Sequence, residues 1–95
     1  MDYSEFIISI SSNTPPNLDS QLLLAMWYSL KDEWDTSHEI VQDINSTDAA
    51  WVHAHLHKIE GDMSNAKYWY DKATKNTLDL SIEGEAEEII KFLLS

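Results

Sequence analysis

The sequence predicts an all-α domain made of two stacked helical hairpins, with a short helix before them and a longer one after. Three observations carry this expectation. Apolar residues recur at i, i+3, i+4 and i+7 along most of the chain, and no segment alternates as a half-buried strand would. Cap residues and one glycine turn divide these stripes at helix-like intervals. A shift of 29 residues also lays the second half of the pattern on the first: Leu22 falls on Trp51, Ala25 on Ala54, Leu30 on Ile59, Trp34 on Met63 and Val41 on Tyr70. A hairpin of this size cannot bury both apolar faces alone, so the two copies should stack.

Residues 1–18 read as an N-terminal arm. Tyr3, Phe6, Ile7 and Ile10 follow the helical spacing, although the isoleucine and serine content leans towards a strand; the expectation is a short helix. Pro15-Pro16 then imposes an extended connection. Asp19 or Ser20 can cap the next helix, which carries Leu22, Leu23, Met26, Trp27 and Leu30 and ends near Lys31-Asp32. A second helix starts around Glu33 and carries Trp34, Ile40, Val41 and Ile44. After the polar turn Asn45-Ser46-Thr47-Asp48, a third helix runs from about Ala49 to Ile59 with Val52, Leu56 and Ile59 on one side. Gly61 suits the left-handed position that closes a helix, and Asp62 can cap the following one, which should bury Ala66, Trp69, Tyr70 and Ala73. The two hairpins thus occupy residues 19–75. Beyond a linker, residues 80–95 form an amphipathic capping helix through Ile82, Ala86, Ile89, Ile90 and Leu93.

Composition narrows the functional classes. With 95 residues the chain is one domain that buries roughly two-thirds of its unfolded surface, and 43% hydrophobic residues can fill its core. The absence of cysteine removes disulfides, thiolate metal sites and thiol nucleophiles together. Neither a leader-like segment nor an apolar run of about 18 residues is present, so the expectation is a cytoplasmic protein with no membrane partner. Seventeen acidic residues against six lysines give a net charge of −11, and there is no arginine. Such a field repels phosphate, so no nucleic acid is expected as a partner. Serine, cysteine and threonine form no nucleophile motif, and neither a phosphate-cradling loop nor a cofactor fingerprint occurs; no cofactor is expected.

Gly61-Asp62-x-x-x-Ala66-x-x-x-Tyr70-x-x-Ala73 resembles the second half of a tetratricopeptide repeat. The upstream helix departs from that pattern, lacking its Trp-x-x-Leu-Gly-x-x-Tyr signature, and the period is shorter than the usual of about 34 residues. A closer resemblance is to a group of small uncharacterised proteins with a tetratricopeptide-like helical fold. It rests on Trp34-Asp-x-x-His38-x-x-x-Gln42, Trp51-Val-His53-Ala-x-Leu-His57 and Glu60-Gly-Asp62-x-x-Asn65-Ala-x-Tyr68-Trp-Tyr70, within about residues 15–73. The resemblance implies the fold and no reaction. By analogy with repeat scaffolds it implies peptide binding.

The candidate chemistry lies in the same stretch. His53 and His57 are i, i+4 on a helix and Glu60 follows three residues later, opposite the Val52, Leu56 and Ile59 stripe. Two imidazoles and a carboxylate at this spacing can chelate zinc, although alanine after His53 removes the general base of a His-Glu-x-x-His motif. The expectation is that these side chains hydrogen-bond across to a neighbouring helix and hold no metal; chelation by His53, His57 and Glu60 is the alternative. His55 lies on the apolar side and reads as a packed, hydrogen-bonded histidine. His38 and Gln42 form another i, i+4 pair on the preceding helix, and the two strips converge if the hairpins stack. His38, Gln42, His53, His57 and Glu60 would then line a cleft, with Asn65 and Tyr68 at its edge. Of Trp27, Trp34, Trp51, Trp69, Tyr68 and Tyr70, most should be packing, with Tyr68 the exposed member. The expected function is a non-catalytic module for a protein or peptide partner. The rivals are a histidine- or metal-dependent enzyme in the same cleft and a self-associating homodimer.

Overall fold

Helix starts follow the short polar side chains that accept orphan backbone N–H groups. Asp2 and Glu5 cap one another's backbone in a capping box at α1 (Tyr3–Ser9). Ser20 accepts from Leu22 and Leu23 at α2 (Gln21–Leu30), and Ser46 accepts from Ala49 at α4 (Thr47–Ile59). Asp62 accepts from Asn65 at α5 (Met63–Ala73), and Ser81 accepts from Gly84 at α6 (Ile82–Leu94). Only α3 (Trp34–Gln42) begins without a side-chain cap. These six helices, with no strand, make up a computed structural model that describes Met1–Ser95. Two boundaries differ from expectation. The first helix stops at Ser9, and α4 begins two residues before Ala49 because Ser46 takes the cap.

The turn between α2 and α3 has a counterpart 29 residues on, between α4 and α5. In the first, Asp32 adopts φ 60°, its N–H reaches the Ser29 carbonyl and the Glu33 N–H reaches that of Tyr28. In the second, Gly61 adopts φ 83°, its N–H reaches the Lys58 carbonyl and the Asp62 N–H reaches that of His57. Both are Schellman closures, with the left-handed residue just beyond the helix. Buried side chains correspond as well: Ala25 with Ala54, Ser37 with Ala66 and Val41 with Tyr70.

Short connections return α2 onto α3 and α4 onto α5, while α3 and α2 both touch α4. The last helix lies against α4 and α2, and α1 packs on α6. Alanines at 25, 49, 54, 66 and 73 are all buried, which lets helix axes approach closely. The Ser37 hydroxyl donates to the Ala25 carbonyl at 2.7 Å, tying α3 to α2. Trp27, Phe6, Met26, Leu56, Ile89 and Ile90 are the largest fully buried apolar side chains, each stabilising the fold by about 1.5–3 kcal/mol. The N-terminal arm is tied down by polar contacts. Trp27 Nε1 donates to Ser9 Oγ at 3.1 Å, and Lys31 Nζ donates to the carbonyls of Ile10 and Ser12 at 2.8 and 2.9 Å.

Because α4 is enclosed by α2, α3, α5 and α6, every residue from Ala49 to Lys58 is buried. The polar strip of His53 and His57 therefore does not face an open groove. It faces the neighbouring helices, which leave each of the two rings only a few per cent exposed. Conversely, Ile59 and Ile82 are exposed despite lying on apolar stripes. They occupy the last residue of α4 and the first of α6, where each helix has run past its neighbours. No helix is long and apolar enough to cross a membrane.

Candidate functional site

The stacking of α3 on α4 brings His38 to the i, i+4 pair His53 and His57. His38 Nε2 and His53 Nε2 are 3.1 Å apart, so one ring donates to the other. One ring nitrogen from each of the three histidines lies within 4.8 Å of the other two. Trp34 stacks on His38 at 4.8 Å and 9°, and Trp69 stacks on His53 at 3.8 Å and 13°. The indole of Trp34 is held by donating to the Leu56 carbonyl at 2.7 Å. His57 Nδ1 donates to Glu60 Oε1 at 2.6 Å, across one helical turn. His53 and His57 are buried, whereas His38 is half-buried.

Burial removes water that would solvate an imidazolium, and neighbouring imidazoles repel a second positive charge. Burial first, then His38 and His57, push the His53 ring down to about 4. Burial, followed by His57, lowers His38 against the opposing pull of Glu60 and nearby acids. At neutral pH these two rings carry lone pairs rather than charge.

The other expected site residues are more dispersed. Gln42 lines a cavity of about 530 Å³ between the α3–α4 turn and α5, together with Trp69 and Lys72. Asn65 is half-buried in the first turn of α5, where its backbone N–H serves the Asp62 cap. Tyr68 points outward, its ring edge-on to Trp69 at 5.2 Å. Lys72 Nζ lies 5.2 Å from the Tyr68 ring centre and 5.9 Å from that of Trp69. Of the six large aromatics, Trp27, Trp51 and Tyr70 are buried, Trp34 and Trp69 are half-buried, and Tyr68 alone is exposed.

A second polar cluster was not anticipated. Glu85 of α6 is fully buried and accepts from His55 Nδ1 at 2.5 Å, from Thr77 Oγ1 at 2.6 Å and from the Tyr70 hydroxyl. Lys58 Nζ stands 3.6 Å from the same carboxylate and donates to the Thr77 and Leu80 carbonyls. Trp51 Nε1 completes the cluster by donating to Thr77 Oγ1 at 3.0 Å. Burial alone would raise the Glu85 carboxyl. The donors His55, Thr77 and Tyr70 outweigh it and hold the group below the usual carboxylate range. Burial and the bond to Glu85 push the Tyr70 hydroxyl up. No buried side-chain nitrogen or oxygen lacks a partner, so this cluster is a closed structural joint between α4, α5 and α6. Its trace in the sequence is an acid on an apolar stripe, three residues after Ile82 and four before Ile89.

Comparison of the chain with protein-family models, curated proteins and solved structures finds no match.

Proposed function

We propose that this chain is a non-catalytic interaction module with a tetratricopeptide-like arrangement of its hairpins, binding a peptide segment of a protein partner. The paired Schellman turns and the correspondence of buried residues at a spacing of 29 support the repeat reading. One observation carries the binding reading. Tyr68 is 54% exposed and lies edge-on to Trp69, which lines the cavity together with Gln42 and Lys72. An exposed aromatic next to hydrogen-bonding groups has the make-up of an interface hot spot. The net charge of −11 favours a basic segment, attracted from a distance and weakened by salt.

The test is an NMR titration of the isotope-labelled full chain with lysine-rich, mixed and acidic peptides. Basic peptides should shift the signals of Tyr68, Trp69 and Gln42, with affinity falling as ionic strength rises. Tyr68→Ala should weaken binding about tenfold or more. Binding that ignores Tyr68, or signals that move only elsewhere, would refute the reading.

A second reading rests on α1, whose Ile8 is 72% exposed beside the exposed Ile7. Two copies could cover this edge by pairing. Sedimentation across a concentration series decides it: an unchanged monomer mass removes the homodimer.

A further inference from the structure

We infer that His38, His53 and His57 form a three-nitrogen binding site for a divalent transition-metal ion of the zinc type, with Glu60 holding His57 in the coordinating tautomer. The argument begins with protons. His57 Nδ1 donates to Glu60, so in the neutral ring the lone pair is on Nε2. His38 and His53 meet Nε2 to Nε2, and a single shared proton satisfies both. Three converging rings therefore present more lone pairs than protons, an excess that a cation would remove.

Geometry agrees. Two imidazole nitrogens bound at about 2.05 Å to a tetrahedral ion stand roughly 3.3 Å apart, and the His38–His53 separation is 3.1 Å. Binding then needs movement of the shared proton to the far nitrogen of its ring, and approach of a His57 ring nitrogen that lies within 4.8 Å of the other two. An orienting carboxylate on the outer nitrogen is the usual support of a metal-bound histidine, and Glu60 occupies that position. His57 Nε2 makes no hydrogen bond, and the His57 side chain keeps 8% of its surface exposed, which gives an ion its way in. The stacked indoles of Trp34 and Trp69 limit rotation of His38 and His53, so little conformational freedom remains to be lost on binding.

The donor set selects the ion. Imidazoles without converging oxygens disfavour magnesium and calcium and suit zinc, nickel or copper. Three protein nitrogens leave one position of a tetrahedral zinc for water or another ligand. A competing set, His57 with Glu60 and Asp62, shares His57 and is exposed at both carboxylates. It would require Glu60 to abandon its hydrogen bond and Asp62 its cap on α5.

The test is calorimetric titration of the tag-free full chain with zinc chloride in a non-chelating buffer. One equivalent should bind, and bound zinc should raise the melting temperature. His38→Ala, at a half-buried position that leaves the fold intact by circular dichroism, should weaken binding about 100-fold. Glu60→Ala should weaken it about 10- to 100-fold. Asp62→Asn, which preserves the cap, should change it by no more than about threefold. Cobalt(II) bound to the unaltered protein should show the visible bands of a four- or five-coordinate ion. Absence of saturable binding, insensitivity to His38→Ala, a loss that follows Asp62 instead, or the weak spectrum of six-coordinate cobalt would each overturn the inference.

Discussion

Gly61 and Asp32 solve the same backbone problem at equivalent points of two turns, one with a residue suited to positive φ and one with a tolerated substitute. Nothing lies within 4 Å of the place a Cβ would occupy on Gly61, so a side chain there meets only conformational strain. Gly61→Val should therefore cost about 1–2 kcal/mol, and Gly61→Asn distinctly less. Thr74 closes α5 at φ 55°, a conformation that β-branched residues avoid. Thr74→Gly should for that reason be neutral or stabilising, by up to about 1 kcal/mol. Urea unfolding of the variants measures both; equal stabilities across the set would contradict the strain argument. The glycine turn was legible because glycine carries a signal for left-handed backbone. Threonine carries none, so the closure at Thr74 could not be read.

At the scale of the helix, α6 owes its position to a carboxylate as much as to its apolar stripe. Glu85 reaches His55 on α4, Tyr70 on α5 and Thr77 in the connection, partners 30, 15 and 8 residues away. Glu85→Ala would leave two buried donors, His55 and Tyr70, the half-buried Thr77 and the neighbouring Lys58 without their acceptor. We expect a loss of about 3–5 kcal/mol in urea unfolding, against less than about 1 kcal/mol for an exposed acid such as Glu88. A loss no larger than that of the surface control would show that water can replace the carboxylate. The helices themselves were largely readable, with Ser20, Ser46 and Asp62 as caps whose side chains fix where three of them begin. The joint was not, because local periodicity says nothing about which distant groups will meet an acid. The histidines were an intermediate case. Their spacing put His53 and His57 on one strip and suggested His38 as a neighbour, but only packing reveals that helices close over them.

For the molecule as a whole, the buried polar groups set the response to acid. The His53 ring ionises at about 4 in the folded chain, below the value of 6.5 that applies when it is unfolded. The unfolded chain thus takes up the proton first. Stability should fall as pH drops from 6.5 towards 4, with a slope approaching about 1.4 kcal/mol per pH unit for this group. His38 adds to the same slope because its folded value is also lowered. Glu85 acts at still lower pH: its folded value is depressed, so the stability it confers is lost as pH falls through that value. Denaturant melts at several pH values should show this decline, and His53→Gln should flatten its upper portion. A profile unchanged by that substitution would place the acid sensitivity elsewhere.

The enclosure of α4 also bears on how the chain gains and loses its structure. Because one segment is shared by four neighbours, neither half of the polypeptide owns a complete interior. Separated fragments would each expose the surface that the other normally shields. Folding should accordingly be all-or-none, and a backbone cut between residues 42 and 47 would leave two pieces that must reassociate before either regains order.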